Sequence, residues 1–200
     1  MSTPSQRSTR DSILDAAAHL FSERGGAVRL EDVADEAGVS RQAVYLHFGS
    51  RSGLLIAIAQ HIDGAGVLPS LLTRVVDAPT ALDALDAVAN LHAEYHPMIH
   101  QVARIFMEGR YTDEALRAAW DERMEGRRSL YRAVVERLHL EARLDLTWDV
   151  EPAVDILFVL TSWQTWEQLV IDQSWSKEEY RDRLSALLRR TLVTQPNRLI

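Results

Sequence analysis

Residues 30–48 read Leu-Glu-Asp-Val-Ala-Asp-Glu-Ala-Gly-Val-Ser-Arg-Gln-Ala-Val-Tyr-Leu-His-Phe. Val33, Ala34, Ala37, Val39 and Val44 recur at helical spacing and predict the inward faces of two short helices, over about 31–37 and 41–48. Gly38 stands between them, where the backbone must turn through left-handed angles. Ser40 supplies a side-chain oxygen that can cap the second helix. Ala34 and Gly38 are small enough to let the two helices approach closely. The remaining face of the second helix carries Arg41, Gln42, Tyr45 and His47. Such a helix suits the major groove of double-stranded DNA. Arg can donate twice to guanine and Gln can pair with adenine, while Tyr and His can reach phosphate oxygens that fix register. Ser40 at the helix start and Arg51 just beyond its end are further candidates for backbone contact.

Working outward, helical punctuation continues in both directions and no alternating strand pattern interrupts it. Ser8 and Asp11 form a capping box for a first helix over about 9–24, with Ile13, Leu14, Ala17, Leu20 and Phe21 on one face and Gly25-Gly26 at its end. Gly49-Ser50 ends the second short helix, and Ser50 can cap a helix to about residue 64 carrying Leu54, Leu55, Ile58 and Ile62. Residues 67–79, with Pro69 and Pro79, read as a looser segment. Thr80 and Asp83 box a helix that Pro97 should stop near His96, because the residue before proline avoids helical angles. Helices over about 98–108 and from a Thr112 cap to about 140 follow. The next opens at Asp149, tolerates Pro152 in its first turn and runs to about 173. Ser176 and Glu179 box a last helix ending near residue 193. The fold class is therefore all-α, with about nine helices. We expect a DNA-binding domain over 1–50, a linking helix over 51–64, and a second domain over 65–200.

Composition narrows the classes. The hydrophobic fraction is 46% and the net charge −7. Residues 1–62 carry six Lys+Arg against seven Asp+Glu, so most of the excess acid lies beyond the candidate DNA-binding segment. Local placement of charge decides DNA contact. Arg7 and Arg10 add base in the tail. Cysteine is absent, which excludes disulfides and thiolate metal sites. The N-terminus lacks the apolar core of a secretory signal. The longest apolar run, near 153–163 and broken by Asp155, is too short to span a bilayer. A cytoplasmic protein without membrane contact is expected. No nucleophile elbow or phosphate-binding loop occurs, so no enzymatic activity and no cofactor are expected.

Residues 33–51, Val-Ala-Asp-Glu-Ala-Gly-Val-Ser-Arg-Gln-Ala-Val-Tyr-Leu-His-Phe-Gly-Ser-Arg, resemble the tetracycline-repressor (TetR) family of transcriptional regulators. The Ala-Gly-Val-Ser turn, the Tyr-x-His-Phe helix and the basic residue after it carry the likeness, which covers roughly residues 8–62. Two positions depart from the family pattern. Arg29 stands where Ser or Thr commonly caps the first short helix, a loss worth about 1 kcal/mol, and it is a candidate for phosphate contact. Gly53 replaces a helix former, at a cost of up to about 1 kcal/mol.

The resemblance implies a small-molecule cavity in the middle helices and a homodimer built on the last two. All five tryptophans lie beyond residue 119. His92, Tyr95, His96, Phe106, Trp120, Met124, Arg127, Tyr131, Trp163 and Trp166 are candidate ligand contacts for a small-molecule effector. Aromatic stripes at helical spacing also serve as plain core, and Arg127 can pair with Glu94 or Asp155 instead. Leu157, Tyr180, Leu184, Leu187 and Leu188 form the candidate dimer stripe, with Arg181, Asp182, Arg189 and Arg190 facing away. His92, His96 and His100 are spaced by four. The first two could chelate a metal ion, the sole support for a metal sensor or a metal-dependent helical enzyme. No metal is assigned.

Overall fold

In the computed structural model, which describes residues 8–194, every regular element is helical. Arg7 lies outside the described residues. The contacts divide the chain into two units. One holds residues up to Ala65 together with Met98–Asp121; the other holds Gly66–Pro97 and the chain from Glu122 onward.

In the first unit, α1 (Thr9–Arg24) begins at Ser8, whose hydroxyl oxygen accepts from the Asp11 amide at 3.2 Å. It buries Ile13, Leu14, Ala17, Leu20 and Phe21 and packs against α2 (Leu30–Glu36) and α4 (Arg51–Gly64). A 3₁₀ turn, Gly25–Ala27, joins α1 to α2. Between α2 and α3 (Arg41–Phe48) the chain turns at Gly38 with φ +66°. Ser40 and Ser50 cap α3 and α4, accepting from the Ala43 and Gly53 amides at 3.1 and 3.0 Å. A serine at each helix start satisfies amides that no helical carbonyl can reach.

The later helices differ from expectation in four places. Residues 67–76 are not loose: they form α5 (Val67–Val76), which buries Leu71 and Val75 one turn apart. Pro69 sits in its first turn, where the missing amide hydrogen has no helical partner to lose. Pro97 does not end a helix. α6 runs unbroken from Ala81 to Gly109, so the two helices expected over 80–96 and 98–108 are one. An interior proline costs about 3 kcal/mol, but its ring is exposed here while Ala93, Tyr95, His96, Ile99 and His100 are buried around it. Burying even two or three such side chains outweighs that cost, at about 1.5–3 kcal/mol for each large apolar group.

The third difference is a cap. α7 (Glu114–Leu140) starts one residue later than Thr112 would set, because Asp113 accepts from the Leu116 amide at 3.1 Å. Asp113 also takes the hydroxyl hydrogen of Ser52 within the same unit. That bond holds its carboxyl below the ordinary carboxylate range.

The fourth is a break. The helix expected to reach 173 stops at Leu160 as α8 (Val150–Leu160). Ser162 caps a new turn, α9 (Trp163–Trp166), which widens into a π-helical segment, Glu167–Asp172. α10 (Lys177–Leu192) then follows a Ser176 cap.

Within the second unit, polar ties fix the helix ends. The Glu141 carboxylate accepts from the Ala81 amide at 2.9 Å and from Arg137 at 3.0 Å. Arg189, expected to face away, joins Ser185 on the Asp86 carboxylate. Leu144 and Val193 form an isolated antiparallel bridge. Among the described residues no single helix is long and apolar enough to cross a membrane.

Two helix glycines should respond oppositely to alanine. A Cβ on Gly126 in α7 meets nothing within 4 Å, whereas one on Gly53 would stand 2.1 Å from the Phe48 carbonyl oxygen. Gly126→Ala should raise the urea midpoint, by about 0.5–1 kcal/mol of stability. Gly53→Ala should lower it despite alanine's better helix propensity. Stabilisation by Gly53→Ala would show that the start of α4 yields without cost.

Candidate nucleic-acid interface and a buried polar cluster

The core of the helix pair is narrow. Val33, Ala34 and Val44 are buried, while Ala37 and Val39 are half-buried. The Val39 amide donates to the Ala34 carbonyl at 2.9 Å, closing the turn around Gly38. With Val44 pinned inward, Arg41, Gln42, Tyr45, Leu46 and His47 are all exposed. Arg41 and Tyr45 lie one turn apart and work as a pair. The guanidinium donates to the tyrosine oxygen at 3.4 Å and sits 5.5 Å from its ring centroid. Glu31 of α2 holds the same guanidinium at 2.7 Å. The Tyr45 bond and the Glu31 charge raise the Arg41 pKa, so it is a permanent cation. Because both partners of the ion pair are exposed, it is weak and can be exchanged for a phosphate or a base.

The other candidates divide. Ser40 uses its oxygen on the Ala43 amide. Arg29 is exposed, and its backbone amide, lacking a side-chain cap, is satisfied by the Asp32 carboxylate at 2.9 Å. Arg51 turns toward the body of its own unit. It donates to the Gly26 and Val28 carbonyls at 2.8 and 3.3 Å and lies over the Phe21 ring. In this position it braces the loop that delivers α2. Arg10 stacks over Phe48 at 5.5 Å.

Sequence reasoning missed Leu46. At 79% exposure it is a large apolar side chain on the outer face of α3. The available signal was its position, one turn from Gln42 and off the Val44 side of the helix.

The second unit gathers five of the candidate ligand contacts. His92 and His96 of α6 are buried and hydrogen-bonded to each other, Nδ1 to Nε2, at 2.9 Å. His92 Nε2 meets the Tyr131 oxygen at 2.5 Å, and Trp166 packs edge-on to the His96 ring. Arg127 Nε donates to the Tyr131 oxygen at 2.9 Å. Thr161, absent from the sequence candidates, completes the cluster. It is fully buried, accepts from Arg127 Nη2 at 2.9 Å, lies 2.6 Å from the Tyr131 oxygen, and donates to the Leu157 carbonyl at 2.6 Å.

Tyr95 accepts from Arg123 at 2.6 Å, and Met124 and Trp163 are half-buried. Phe106 and Trp120 fall in the first unit, both buried, with Arg110 over the Trp120 ring. Neither carboxylate proposed for Arg127 reaches it. Glu94 pairs with Lys177, and Asp155 with Arg128. The facing nitrogens of His92 and His96 are spent on each other. No group of three or more His, Asp or Glu with metal-binding geometry occurs among the described residues.

Leu157, Tyr180, Leu184 and Leu188 of the expected dimer stripe are buried within the chain itself. The large apolar side chains that α8 and α10 leave exposed are Val159 and Leu187.

Burial first, then the charges of His96 and Arg127, push the His92 pKa well below the ordinary histidine value. Unfolding restores an ordinary imidazole, which binds a proton below about pH 6.5. The stabilising contribution is therefore complete above that pH and is lost as pH falls through and below it. His92→Gln should flatten the acid limb of a stability–pH curve between about pH 6.5 and 5, where one proton is worth at most about 1.4 kcal/mol per pH unit. Equal slopes in both proteins would mean that His92 stays neutral for free, or charges in the fold.

A family model described as bacterial regulatory proteins, tetR family, matches residues 13–58. Over 82 residues, the chain is 40% identical to the transcriptional activator FasR of Mycolicibacterium smegmatis, covering 39% of this chain and 37% of that one. Over 118 residues, it is 32% identical to the transcriptional repressor KstR2 of the same organism, covering 58% and 54% respectively. The matched stretch thus spans no more than about half of these curated relatives. In fold, it is similar to a transcriptional regulator from Saccharomonospora viridis in complex with choline, with a TM-score of 0.80 over 93% of this chain and 98% of that one, at 17% identity. The capped helix pair turned on Gly38 lies inside the segment 13–58 that matches the tetR family of bacterial regulatory proteins.

Proposed function

We propose that the chain is a dimeric transcriptional regulator that binds double-stranded operator DNA through α3 and is released from a near-palindromic operator by a small, largely apolar effector. The observation that carries this reading is the outer face of α3. Arg41, Gln42, Tyr45 and Leu46 project together from a helix whose start is capped by Ser40 and whose opposite side is locked by buried Val44. Arg41 and Gln42 read base edges, Leu46 packs on a thymine methyl, and Tyr45, His47, Arg29 and the Ser40 backbone meet phosphates. Arg51 holds the loop before α2 and so sets the angle of the pair.

Two copies joined through the outward sides of α8 and α10, around Val159 and Leu187, would present two α3 helices to half-sites one or more turns apart. The polar cluster of the second unit is the effector's anchor. An effector moves the equilibrium only by its preference for one state, typically about 1–3 kcal/mol. The relatives named as regulators support the DNA-binding half, and the choline complex of a fold neighbour supports a ligand in the helical half. The activator named among the relatives keeps the opposite sign of regulation open for the same DNA-reading face.

In a gel-shift with DNA from upstream of its own gene, the protein should give a discrete complex. Arg41→Ala with Tyr45→Ala should weaken that complex by about ten- to a hundredfold. Unchanged binding would remove α3 as the reading face. Leu46 has its own test. Replacing thymine by deoxyuridine, one base at a time, should identify a position where loss of the methyl alone weakens the wild type. Leu46→Ala should be indifferent to that replacement; continued discrimination would assign the methyl contact elsewhere.

A further inference from the structure

Six arginines lie on α7, and one of them, Arg123, donates to the Tyr95 oxygen at 2.6 Å. Arg128 reaches Asp155 at 2.7 Å and Glu151 at 3.2 Å, Arg132 reaches Glu151 at 2.7 Å, and Arg137 reaches Glu141 at 3.0 Å. Arg117 lies 3.5 Å from Glu114. Arg127 differs from these four. Its hydrogen bonds go to the Tyr131 oxygen, the Phe158 carbonyl and the Thr161 hydroxyl, all of them neutral. It takes part in none of the ion pairs found among the described residues. Its guanidinium carbon lies 4.2 Å from the Phe158 ring centroid and 5.2 Å from that of Tyr131. A guanidinium partly withdrawn from water against aromatic rings favours an anion, and the chain supplies dipoles and π faces instead.

The surroundings are arranged to keep that single charge. The Leu157 carbonyl can only accept, so the Thr161 hydroxyl donates to it. The Tyr131 hydroxyl hydrogen then goes to Thr161, and the Tyr131 oxygen accepts from both Arg127 Nε and His92 Nε2. His92 Nδ1 accepts from His96 Nε2 in turn. The His92 imidazole is neutral in this arrangement. Arg127 Nε and Nη2 are engaged, while Nη1, with two further N–H donors, takes part in none of these bonds.

We propose that Arg127 is the anchor for the anionic headgroup of the effector, a singly charged carboxylate on an apolar body, received by Nη1 beside the rings of Phe158 and Tyr131. The inference rests on the ligand-responsive reading above and gives its effector a charge. One unpaired cation matches one carboxylate, and a polyanion would leave charge uncompensated. The choline complex of the fold neighbour does not set the sign here, because the sign follows from Arg127 itself.

The test compares three headgroups on one tail: phenylbutyrate, phenylbutanol and phenylbutylammonium, with decanoate, decanol and decylammonium as a second series. Calorimetry and thermal shift near neutral pH on the full chain should show the carboxylate binding about tenfold tighter than its alcohol or more, with the ammonium weakest. Arg127→Gln should abolish the difference between carboxylate and alcohol and leave alcohol binding in place. Arg127→Lys, which keeps the charge should glutamine disturb the fold, should retain a preference for the carboxylate. An alcohol that binds as tightly as its carboxylate overturns the proposal while leaving an apolar effector site standing, and so does a preference that survives in Arg127→Gln. Absence of binding by every member of both series overturns the ligand reading together with the proposal.

Discussion

The carbonyl oxygen of Leu157 can accept hydrogen bonds and nothing else, and that constraint organises the second unit. It fixes the direction of the Thr161 hydroxyl, hence that of Tyr131, hence the protonated nitrogen of His92 and of His96. Satisfying a buried chain of polar groups in one direction is worth more than its pairs taken singly, because each unmade bond would strand a desolvated group. Helices α6, α7 and α8 each contribute a member. Their relative rotation within this unit is therefore set by a hydrogen-bond order that apolar packing alone would leave loose. Thr161 also ends α8, so one residue closes the polar chain and stops the helix that carries it.

The first unit is organised by local rules, and for that reason it was legible in the sequence. Ser8, Ser40 and Ser50 each cap the helix expected of them, and Gly38 takes the left-handed angle its position demands. These signals depend on residues within four positions of one another. The outward face of α3 follows from the inward one, since fixing Val44 fixes the rest. Arg51 was less legible. A basic residue at a helix start is equally compatible with phosphate and with backbone carbonyls, and only the return of the loop at Gly26 and Val28 decides for the carbonyls.

Where sequence reading went astray, long-range packing overrode a local preference. Pro97 is a strong local stop, yet buried side chains on both sides of it carry α6 through. Pro69 and Pro79 made 67–79 look loose, but Leu71 and Val75 suffice to hold α5 once there is something to bury them against. The opposite happened at Thr161-Ser162, where a long apolar run concealed a break that the Ser162 cap makes plain in space. In the last helices, an apolar stripe announced burial without saying what would cover it. Leu157, Tyr180, Leu184 and Leu188 are covered by the chain itself, and Val159 and Leu187 remain outside.

The arginines of α7 show most clearly what a helical repeat leaves undecided. Arg127 and Arg128 are neighbours, identical in chemistry and about 100° apart around the helix. That rotation sends one guanidinium to Asp155 and Glu151 in solvent and the other among Tyr131, Phe158 and Thr161. A surface pair of the first kind contributes little to stability. A cation of the second kind costs desolvation that hydrogen bonds to neutral oxygens only partly offset. A chain selected for stability alone would place an apolar side chain at position 127, against the same rings. The retained charge is thus best understood through what it can bind, and this separates Arg127 in kind from its neighbour Arg128.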